Sequence, residues 1–299
     1  MAPQLDQPRQ PAVELGARSP WSWYPVAASE DLERTRNMPV LLHGERLVVW
    51  RSESGGIGAW SDRCPHRGMR LSFGAVQKDS LICAYHGWTF GSDGYCQKIP
   101  AHPGNVPSRA ARARIYPAIE ADGYIWVCLG EPATDRPEPI ETLRPVRSMH
   151  LPVDTELAIA AALVCALDPD PAEHFIVAPQ VLKWTRQAAT VSAEASMDTP
   201  SRTNFSVSLS LPGRLLCRLQ REGLPALHYQ LLLQPSSEGR CVVHLASNGS
   251  PVELNRALVR FRRYVDGPDR QRHLRAIYET FVQASPSQIS NDEIKGAGQ

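Results

Sequence analysis

Two short segments in the first half of the chain carry Cys and His in a regular arrangement. The first pair is Cys64 and His66, the second pair is Cys83 and His86, and sixteen residues lie between the two pairs. Thiolates and imidazoles are donors that bind transition metals. Each pair is followed within two residues by a glycine, which allows two tight loops to approach one metal centre closely. Any fold of this chain must therefore bring these two loops together.

The order of Cys and His along the chain distinguishes a zinc site from an iron-sulfur cluster. Zinc sites usually open with two Cys spaced by two to four residues, whereas here each pair combines one Cys with one His. A [2Fe-2S] cluster of the Rieske type takes two Cys on one iron and two His on the other, and the neutral imidazoles raise its reduction potential. We predict that Cys64, His66, Cys83 and His86 bind such a cluster and that the protein transfers single electrons.

The residues around the ligands resemble those of one family. Segments 64–69 and 83–88 resemble the aromatic-ring hydroxylating and vanillate O-demethylase-like Rieske oxygenases. Respiratory-chain Rieske proteins differ, because they carry an additional Cys in each ligand loop. Segments 23–27 and 123–127 resemble the first and last strands of the oxygenase Rieske domain. The chain is thus similar to a Rieske oxygenase large subunit, best over about residues 20–180.

The composition bounds the size and class of the protein. A chain of 299 residues can bury the cores of two domains. Its formal net charge at pH 7 is only +1, so we expect neither a nucleic-acid partner nor a membrane surface. Residues 1–20 are rich in Pro and Gln and lack a long apolar run. We expect them to form a flexible N-terminal arm rather than a signal peptide or a membrane anchor.

The cysteines indicate the compartment. Seven Cys cannot pair completely, and five of them lie outside the two ligand pairs, mostly in apolar surroundings: Cys96, Cys128, Cys165, Cys217 and Cys241. We expect these five to be buried free thiols of a cytoplasmic protein.

Strand and turn signals predict two domains with a linker between them. Short β-type runs, bounded by Gly, Ser and Asp, occur at 40–42, 47–50, 57–60, 81–83 and 124–129. These runs predict an all-β Rieske domain at 21–130. Residues 131–150, which begin with a stretch dense in Pro and charge, form the predicted linker, and 151–299 form the second domain.

The second domain combines strand signals with helix signals. Strand-like runs lie at 205–211, 227–233 and 241–246. Farther along, apolar residues recur at spacings of three and four: Leu254, Leu258, Phe261, Leu274, Ile277, Tyr278 and Phe281. This pattern predicts two helices with a break at Gly267-Pro268. The fold class is therefore α+β, with an antiparallel sheet and helices like the helix-grip catalytic domain of the resembled family.

The resemblance also implies a second metal site, and here the chain departs from the family. The family holds a mononuclear Fe(II) on two His and one carboxylate, and it writes the two His as Asp-x-x-His-x-x-x-x-His. In the matching segment Asp170 keeps the place of the Asp, which in the family bridges to a cluster His of the neighbouring subunit. Glu173 and Ala178 stand where the two His would be. The resemblance thus implies a degenerate iron site in this chain.

A site with other ligands remains an alternative. Asp170, Glu173 and His174 lie on one helical face if the segment is helical. Asp292 is the best match to the family's late carboxylate. If a mononuclear iron is bound, we expect Glu173, His174 and Asp292 to be its ligands. Ala178 and its neighbours offer no second nitrogen ligand, which favours the degenerate site.

The preferred hypothesis is an electron-transferring subunit of a hetero-oligomeric oxygenase. By resemblance, family subunits form head-to-tail trimers, in which the cluster of one subunit serves the iron of the next. An NAD(P)H-dependent reductase or a ferredoxin would supply electrons, and an iron-bearing partner chain would hydroxylate or demethylate an aromatic or heteroaromatic substrate. Two alternatives stay open: a self-sufficient monooxygenase or O-demethylase with an unusual iron site, and a redox or binding module without oxygen chemistry.

Three residues beside the ligands have roles that the sequence leaves open. Arg67 and Trp88 flank the ligand loops and either pack the cluster against the second domain or a neighbouring subunit, or are an ordinary solvated Arg and core Trp. Tyr85 either donates a hydrogen bond that tunes the cluster or is structural.

Overall fold

The computed structural model describes residues 22–132, 134–137, 143–167, 181–187, 190–198, 203–210 and 212–283. Side chains are described outside 181–204 and 281–283. We refer to residues 22–132 as the N-terminal unit and to residues 143–283 as the C-terminal unit.

The N-terminal unit contains three small antiparallel sheets. Their strands are β1 (Tyr24–Ala28), β2 (Arg36–Leu42), β3 (Glu45–Arg51), β4 (Ile57–Ser61), β5 (Ala75–Gln77), β6 (Ser80–Ile82), β7 (Thr89–Gly91), β8 (Cys96–Lys98), β9 (Ile115–Tyr116), β10 (Ala118–Ala121) and β11 (Tyr124–Val127). The sheet orders are β1-β11-β10, β2-β3-β4-β9 and β5-β6-β7-β8. The five predicted β-type runs coincide with β2, β3, β4, β6 and β11, so these sequence predictions are confirmed.

In its described residues, the C-terminal unit contains a seven-stranded antiparallel sheet and three helices. Its elements are β12 (Arg144–Leu151), α1 (Thr155–Val164), β13 (Val181–Gln187), β14 (Thr190–Asp198), β15 (Thr203–Ser210), β16 (Arg214–Arg221), β17 (Leu227–Ser237), β18 (Arg240–Ser247), α2 (Pro251–Val265) and α3 (Pro268–Gln283). The sheet order is β12-β18-β17-β16-β15-β14-β13. The α+β class and the helix break at Gly267-Pro268 are confirmed.

Strand β12 begins inside the range that the sequence predicted as a linker. Its register against β18 pairs Met149 with Val243 and Leu151 with Cys241. Met149 and Leu151 are buried in the core of the C-terminal unit. The alternate burial of apolar residues gives this strand one buried face, so residues 144–150 belong to the sheet and not to a linker.

Helix α1 lies at the centre of the C-terminal core. All residues from Leu157 to Val164 are buried, as is typical of a helix that is apolar on every side. The Asp154 side chain caps its first turn, because its Oδ1 accepts a hydrogen bond from the Leu157 amide at 2.9 Å. The other Asp154 oxygen lies 3.1 Å from Arg275 of α3. The cap therefore also ties α1 to the last helix.

Strands β17 and β18 are buried on both faces. Residues Leu231, Leu233, Val243 and Leu245 face the helices in the C-terminal core. The alternate residues face the N-terminal unit, and the apolar ones among them pack with its residues: Leu232 and Ala246 with Ala28, Tyr124 and Trp126. Because successive side chains point to opposite faces of a strand, β17 and β18 pack on the helices with one face and on the N-terminal unit with the other.

Two backbone hydrogen bonds also cross this interface, and a buried polar pair of the C-terminal unit lies at it. The amides of His43 and Gly44, in the turn after β2, donate to the Pro235 and Ser236 carbonyls at 2.9 and 2.7 Å. His244 is only 1% exposed, and its Nε2 lies 3.0 Å from Gln234 Oε1. A buried polar pair that is hydrogen-bonded is tolerated in such an interface.

Burial sets the charge state of His244. The pKa of His244 is lowered to about 4, mainly by loss of solvent. A hydrogen bond to the Pro25 carbonyl opposes this shift, and the nearby His150 adds to it. The ordinary value of 6.5 applies to the unfolded chain. The ring is therefore neutral in the folded protein at neutral pH.

We predict that His244 makes the folded protein less stable in mild acid. Between about pH 6.5 and about pH 4, His244 is protonated in the unfolded chain but stays neutral in the folded protein. Protonation therefore stabilises the unfolded state, and the free energy of unfolding falls by up to about 3 kcal/mol as the pH is lowered across this range. Urea unfolding across this pH range measures the slope. His244→Gln, which cannot titrate, should lose this part of the slope, and an equal slope in both proteins would contradict the assignment.

Candidate metal centre

The first ligand loop follows β4 and closes on itself through backbone hydrogen bonds. The Cys64 amide donates to the Met69 carbonyl at 2.8 Å, and the Gly68 amide donates to the Cys64 carbonyl at 2.8 Å. Gly68 has a φ of 74°, a conformation that glycine adopts without strain. The loop therefore turns tightly and carries His66 at its middle.

The second ligand loop, between β6 and β7, repeats this geometry. The Cys83 amide donates to the Trp88 carbonyl at 2.9 Å, and the Gly87 amide donates to the Cys83 carbonyl at 3.1 Å. Gly87 has a φ of 68°. The two loops thus have the same hydrogen bonds at the same offsets from each Cys. A pair of equivalent loops is suited to a centre in which each loop gives one thiolate and one imidazole.

The two thiols lie at the base of the loops, inside an apolar core. Cys64 and Cys83 are 2% and 3% exposed, and they pack with Trp60, Leu71 and Phe90. Burial raises the pKa of Cys64 to about 11, and its hydrogen bond to Cys83 adds to the shift. The backbone amides of His66 and Arg67 oppose it. Without metal the Cys64 thiol is protonated at neutral pH, so metal binding must release a proton.

The two imidazoles lie above the thiols and are packed between aromatic rings. The ring centroids of His66 and His86 are 4.7 Å apart. His66 stacks on Trp88 at 4.2 Å with an angle of 7° between the planes, and Tyr85 stacks on His86 at 3.8 Å. These contacts restrict both rings to one orientation each. Loss of solvent, and then the charges of His86 and Arg67, lower the pKa of His66, which favours the neutral ring that binds metal.

The structure thus assigns contacts to the three flanking residues. Trp88 backs His66 and is in turn packed near Phe90, at a centroid distance of 6.4 Å. Tyr85 is 55% exposed and covers His86 from the solvent side. Arg67 is exposed at the tip of the first loop. Trp88 therefore reaches from one ligand into the protein core, and Tyr85 reaches from the other ligand to the surface.

The first loop is anchored by a residue that no sequence pattern indicated. Asp62, two residues before Cys64, is buried, and its carboxylate accepts hydrogen bonds from the Ser72 amide at 2.6 Å and the Ser72 hydroxyl at 2.7 Å. Arg70 Nε donates to it at 2.8 Å. A fully bonded buried carboxylate fixes both ends of the loop. An acidic residue beside Cys64 was visible in the sequence, but its partners, eight and ten residues away, followed no spacing that would indicate them.

The predicted ligands of a mononuclear iron lie outside the described residues. These are Glu173, His174 and Asp292, and the predicted bridging residue Asp170 lies outside the described residues as well. The chain enters that segment from α1 at a fixed point, because the Leu167 amide donates to the Tyr229 hydroxyl at 2.9 Å. Within the described ranges, no three His, Cys, Asp or Glu side chains converge on one metal ion. A two-iron cluster requires no such group, because each of its irons takes two protein ligands.

Comparison with known proteins agrees with this geometry. Residues 22–116 match the family described as the Rieske [2Fe-2S] domain. This chain carries a Rieske domain. The four predicted ligands lie within the matched range, and the buried thiol pair and the closely spaced imidazoles fit the cluster's two Cys and two His. When bound, such a cluster gains and loses one electron at a time.

Relatives and a solved structure extend the similarity. The chain is 43% identical over 122 residues to the oxidoreductase NdmD of Pseudomonas putida, which covers 40% of this chain and 20% of that protein. It is 35% identical over 134 residues to the 3-chlorobenzoate-3,4-dioxygenase oxygenase subunit of Comamonas testosteroni, which covers 42% and 31%. The structure of Pseudomonas putida CBB5 NdmA with caffeine superposes with a TM-score of 0.68 at 20% identity, over 88% of this chain and 90% of that chain.

The similarity to the two relatives covers only part of their length. The chain spans about a fifth to a third of the length of these two relatives. The likeness to NdmA shows that the Rieske domain and the seven-stranded sheet follow a known overall fold. In the part of the chain that the structure describes, no helix is both long and apolar enough to cross a membrane.

The two loop glycines allow a matched test of the Rieske loops. We predict that Gly68→Ala costs about 1 kcal/mol of stability, because alanine is strained at positive φ. Gly87→Ala should cost more, since its added Cβ would lie 2.9 Å from Cγ of the Pro100 ring, whereas that of Gly68→Ala would meet the flexible Arg63 side chain at 3.5 Å. Thermal unfolding, with iron and sulfide per chain, measures both, and equal losses would contradict this packing argument.

A second test addresses the imidazole ligands. His86→Cys replaces a neutral ligand by a thiolate, and the added negative charge should lower the reduction potential by roughly 100 mV or more. The matched control is His102→Cys, an exposed residue of the same unit, which should leave the potential unchanged. Redox titration followed by electron paramagnetic resonance (EPR) measures both, and an unchanged potential in an intact His86→Cys cluster would remove His86 from the ligand set.

Proposed function

We propose that this chain is the electron-transferring subunit of a hetero-oligomeric Rieske oxygenase. The observation that carries the proposal is a contrast within the chain. Both ligand loops of the Rieske domain are complete and preorganised, whereas Glu173 and Ala178 stand at the two positions where the resembled family has iron-binding His. The chain can therefore accept electrons, and a partner chain supplies the iron at which oxygen reacts.

The residues of the Rieske domain have distinct roles in this function. Cys64 and Cys83 hold one iron in a site from which water is excluded, and His66 and His86 hold the other at the rim. Asp62 fixes the first loop through Ser72 and Arg70. The loops therefore change little when the charge of the cluster changes, which reduces the reorganisation that accompanies electron transfer.

The relatives and the family resemblance support the partner and substrate classes of this proposal. A reductase or a ferredoxin delivers electrons to the Rieske domain, and the chain assembles with an iron-bearing oxygenase chain in the cytoplasm. Asp170 lies at the subunit interface and orients a cluster His of the neighbouring subunit. The substrate is an aromatic or heteroaromatic compound that is hydroxylated or demethylated. The names of two similar proteins, a chlorobenzoate dioxygenase subunit and NdmA with caffeine, support this class.

Metal content and single-turnover chemistry test the proposal. The reduced chain alone should contain two irons and form no product from methoxybenzoate or methylxanthine probes under oxygen. Mixed with an iron-bearing oxygenase chain, it should support product formation. Stoichiometric product from the isolated chain together with a third iron would show that Glu173, His174 and Asp292 form a working site. An intact cluster that never reduces a partner's iron would favour a redox or binding module.

Asp170 provides a further prediction. Asp170→Asn should slow electron transfer to the partner more than it weakens assembly, because the carboxylate orients a cluster His. Asp168→Asn, two residues earlier, is the matched control and should leave the transfer rate unchanged. Stopped-flow oxidation of the reduced cluster gives the rates, and analytical ultracentrifugation gives the assembly. Equal rates in both variants would exclude the role of Asp170.

A further inference from the structure

A chain of hydrogen bonds crosses the interface between the Rieske domain and the seven-stranded sheet. The Gln234 amide nitrogen donates to the Leu41 carbonyl of β2 at 2.9 Å. Gln234 Oε1 lies 3.0 Å from His244 Nε2, and His244 Nδ1 lies 2.8 Å from Ser148 Oγ. Gln234 and His244 are 3% and 1% exposed. The chain therefore joins strands β2, β17, β18 and β12, and its two central groups are removed from water.

The partners determine the proton positions along this chain. Because Leu41 offers a carbonyl oxygen, the Gln234 amide must turn its nitrogen towards Leu41 and its oxygen towards His244. An oxygen acceptor requires a hydrogen on His244 Nε2. The neutral ring then leaves Nδ1 as an acceptor for the Ser148 hydroxyl. A hydrogen on Nε2 thus satisfies both of these contacts and fixes the direction of the Gln234 amide. The Pro25 carbonyl of β1 is a further acceptor beside the ring and brings His244 itself into contact with the Rieske domain.

The remainder of the interface is mainly apolar. Leu232 and Ala246 pack against Tyr124 and Trp126, and the Tyr124 ring meets His244 at a centroid distance of 6.1 Å. Apolar contacts are not directional and tolerate small shifts, whereas hydrogen bonds weaken steeply when their geometry changes. The directional parts of the interface are therefore this buried polar chain and the backbone hydrogen bonds of His43 and Gly44 to Pro235 and Ser236. Of the two, the polar chain is the part that a side-chain substitution can remove.

We propose that His244 is a positioning residue that holds the Rieske domain in one orientation on the seven-stranded sheet. Its effect reaches the ligand loops through paired strands. Leu41 lies in β2, which pairs with β3, and β3 pairs with β4, after which the first ligand loop begins. The consequence for electron transfer rests on the proposed function, because the orientation sets the direction in which the cluster faces the iron of a partner subunit.

The native cysteines make the orientation measurable. All seven Cys are buried, so a Cys introduced at Val252, which is 61% exposed at the start of α2, accepts a label selectively. A gadolinium chelate is suitable because the reductant for the cluster leaves it unchanged. Pulsed EPR between the reduced cluster and this label gives the distribution of distances between the two units in the full chain.

Two substitutions of His244 distinguish the effect of its hydrogen bonds from the effect of its packing, and a third substitution, at Ser148, removes one of the bonds. The wild-type chain should give a single narrow distance. His244→Leu fills the space without polar atoms, and the single narrow distance should be lost. His244→Gln supplies an N–H donor for Gln234 and should restore it. Ser148→Ala removes one bond at an exposed position, and it should give an intermediate width even if His244→Leu does not fold.

A second label site controls for changes within the Rieske domain. Val106 belongs to the same unit as the cluster and is 94% exposed, so a label there should keep one distance in every variant. A narrow Val252 distance in both His244→Leu and Ser148→Ala would overturn the proposal, as would equal broadening in His244→Leu and His244→Gln. Failure of the reduced cluster to support a partner oxygenase, with these distances as expected, would contradict the proposed function alone.

Discussion

The structure of the Rieske domain depends on one requirement, which is that two loops separated by the short strands β5 and β6 present their sulfur and nitrogen atoms to the same small volume. Each loop meets the requirement locally, because the Cys amide and carbonyl are both bonded within the loop. Each loop is thus closed by its own backbone. The rest of the unit brings β4, β6 and β7 to the correct separation through the apolar contacts of Trp60 and Phe90 beneath the thiols.

The second constraint concerns the large sheet, whose central strands are covered on both sides. One face of β17 and β18 packs on α1 and the other helices, and the opposite face packs on the Rieske domain. The two units consequently share a layer, and neither face of that layer is available to water. Such a shared layer accounts for the buried polar pair His244 and Gln234, which lie where a sheet with one solvated face would have exposed residues.

How much of this could be predicted depended on the range of the interaction. The cluster ligands could be proposed from the sequence because spacing within each loop is a local property, and they stay a prediction. The helix break at Gly267-Pro268 could be predicted because Pro ends a helix through its own backbone. Strand β12 was obscured because its signal, the alternate burial of Met149 and Leu151, requires knowledge of the partner strand β18. The hydrogen bond between Gln234 and Leu41 joins residues 193 positions apart, and no periodicity marks it. Asp62 was similarly hidden until its three donors were located in space.

The aromatic rings that contact the two imidazoles lead in different directions, and this asymmetry has a consequence for the paths that electrons can take. Behind His66 the rings of Trp88, Phe90 and Trp60 continue into the interior, whereas on His86 a single ring, Tyr85, separates the ligand from solvent. A redox partner that touches Tyr85 comes within one ring of the cluster ligand. Because tunnelling rates decay exponentially with distance, a redox partner docked over Tyr85 would be separated from the cluster by one ring and one ligand, whereas the rings behind His66 lead away from the surface.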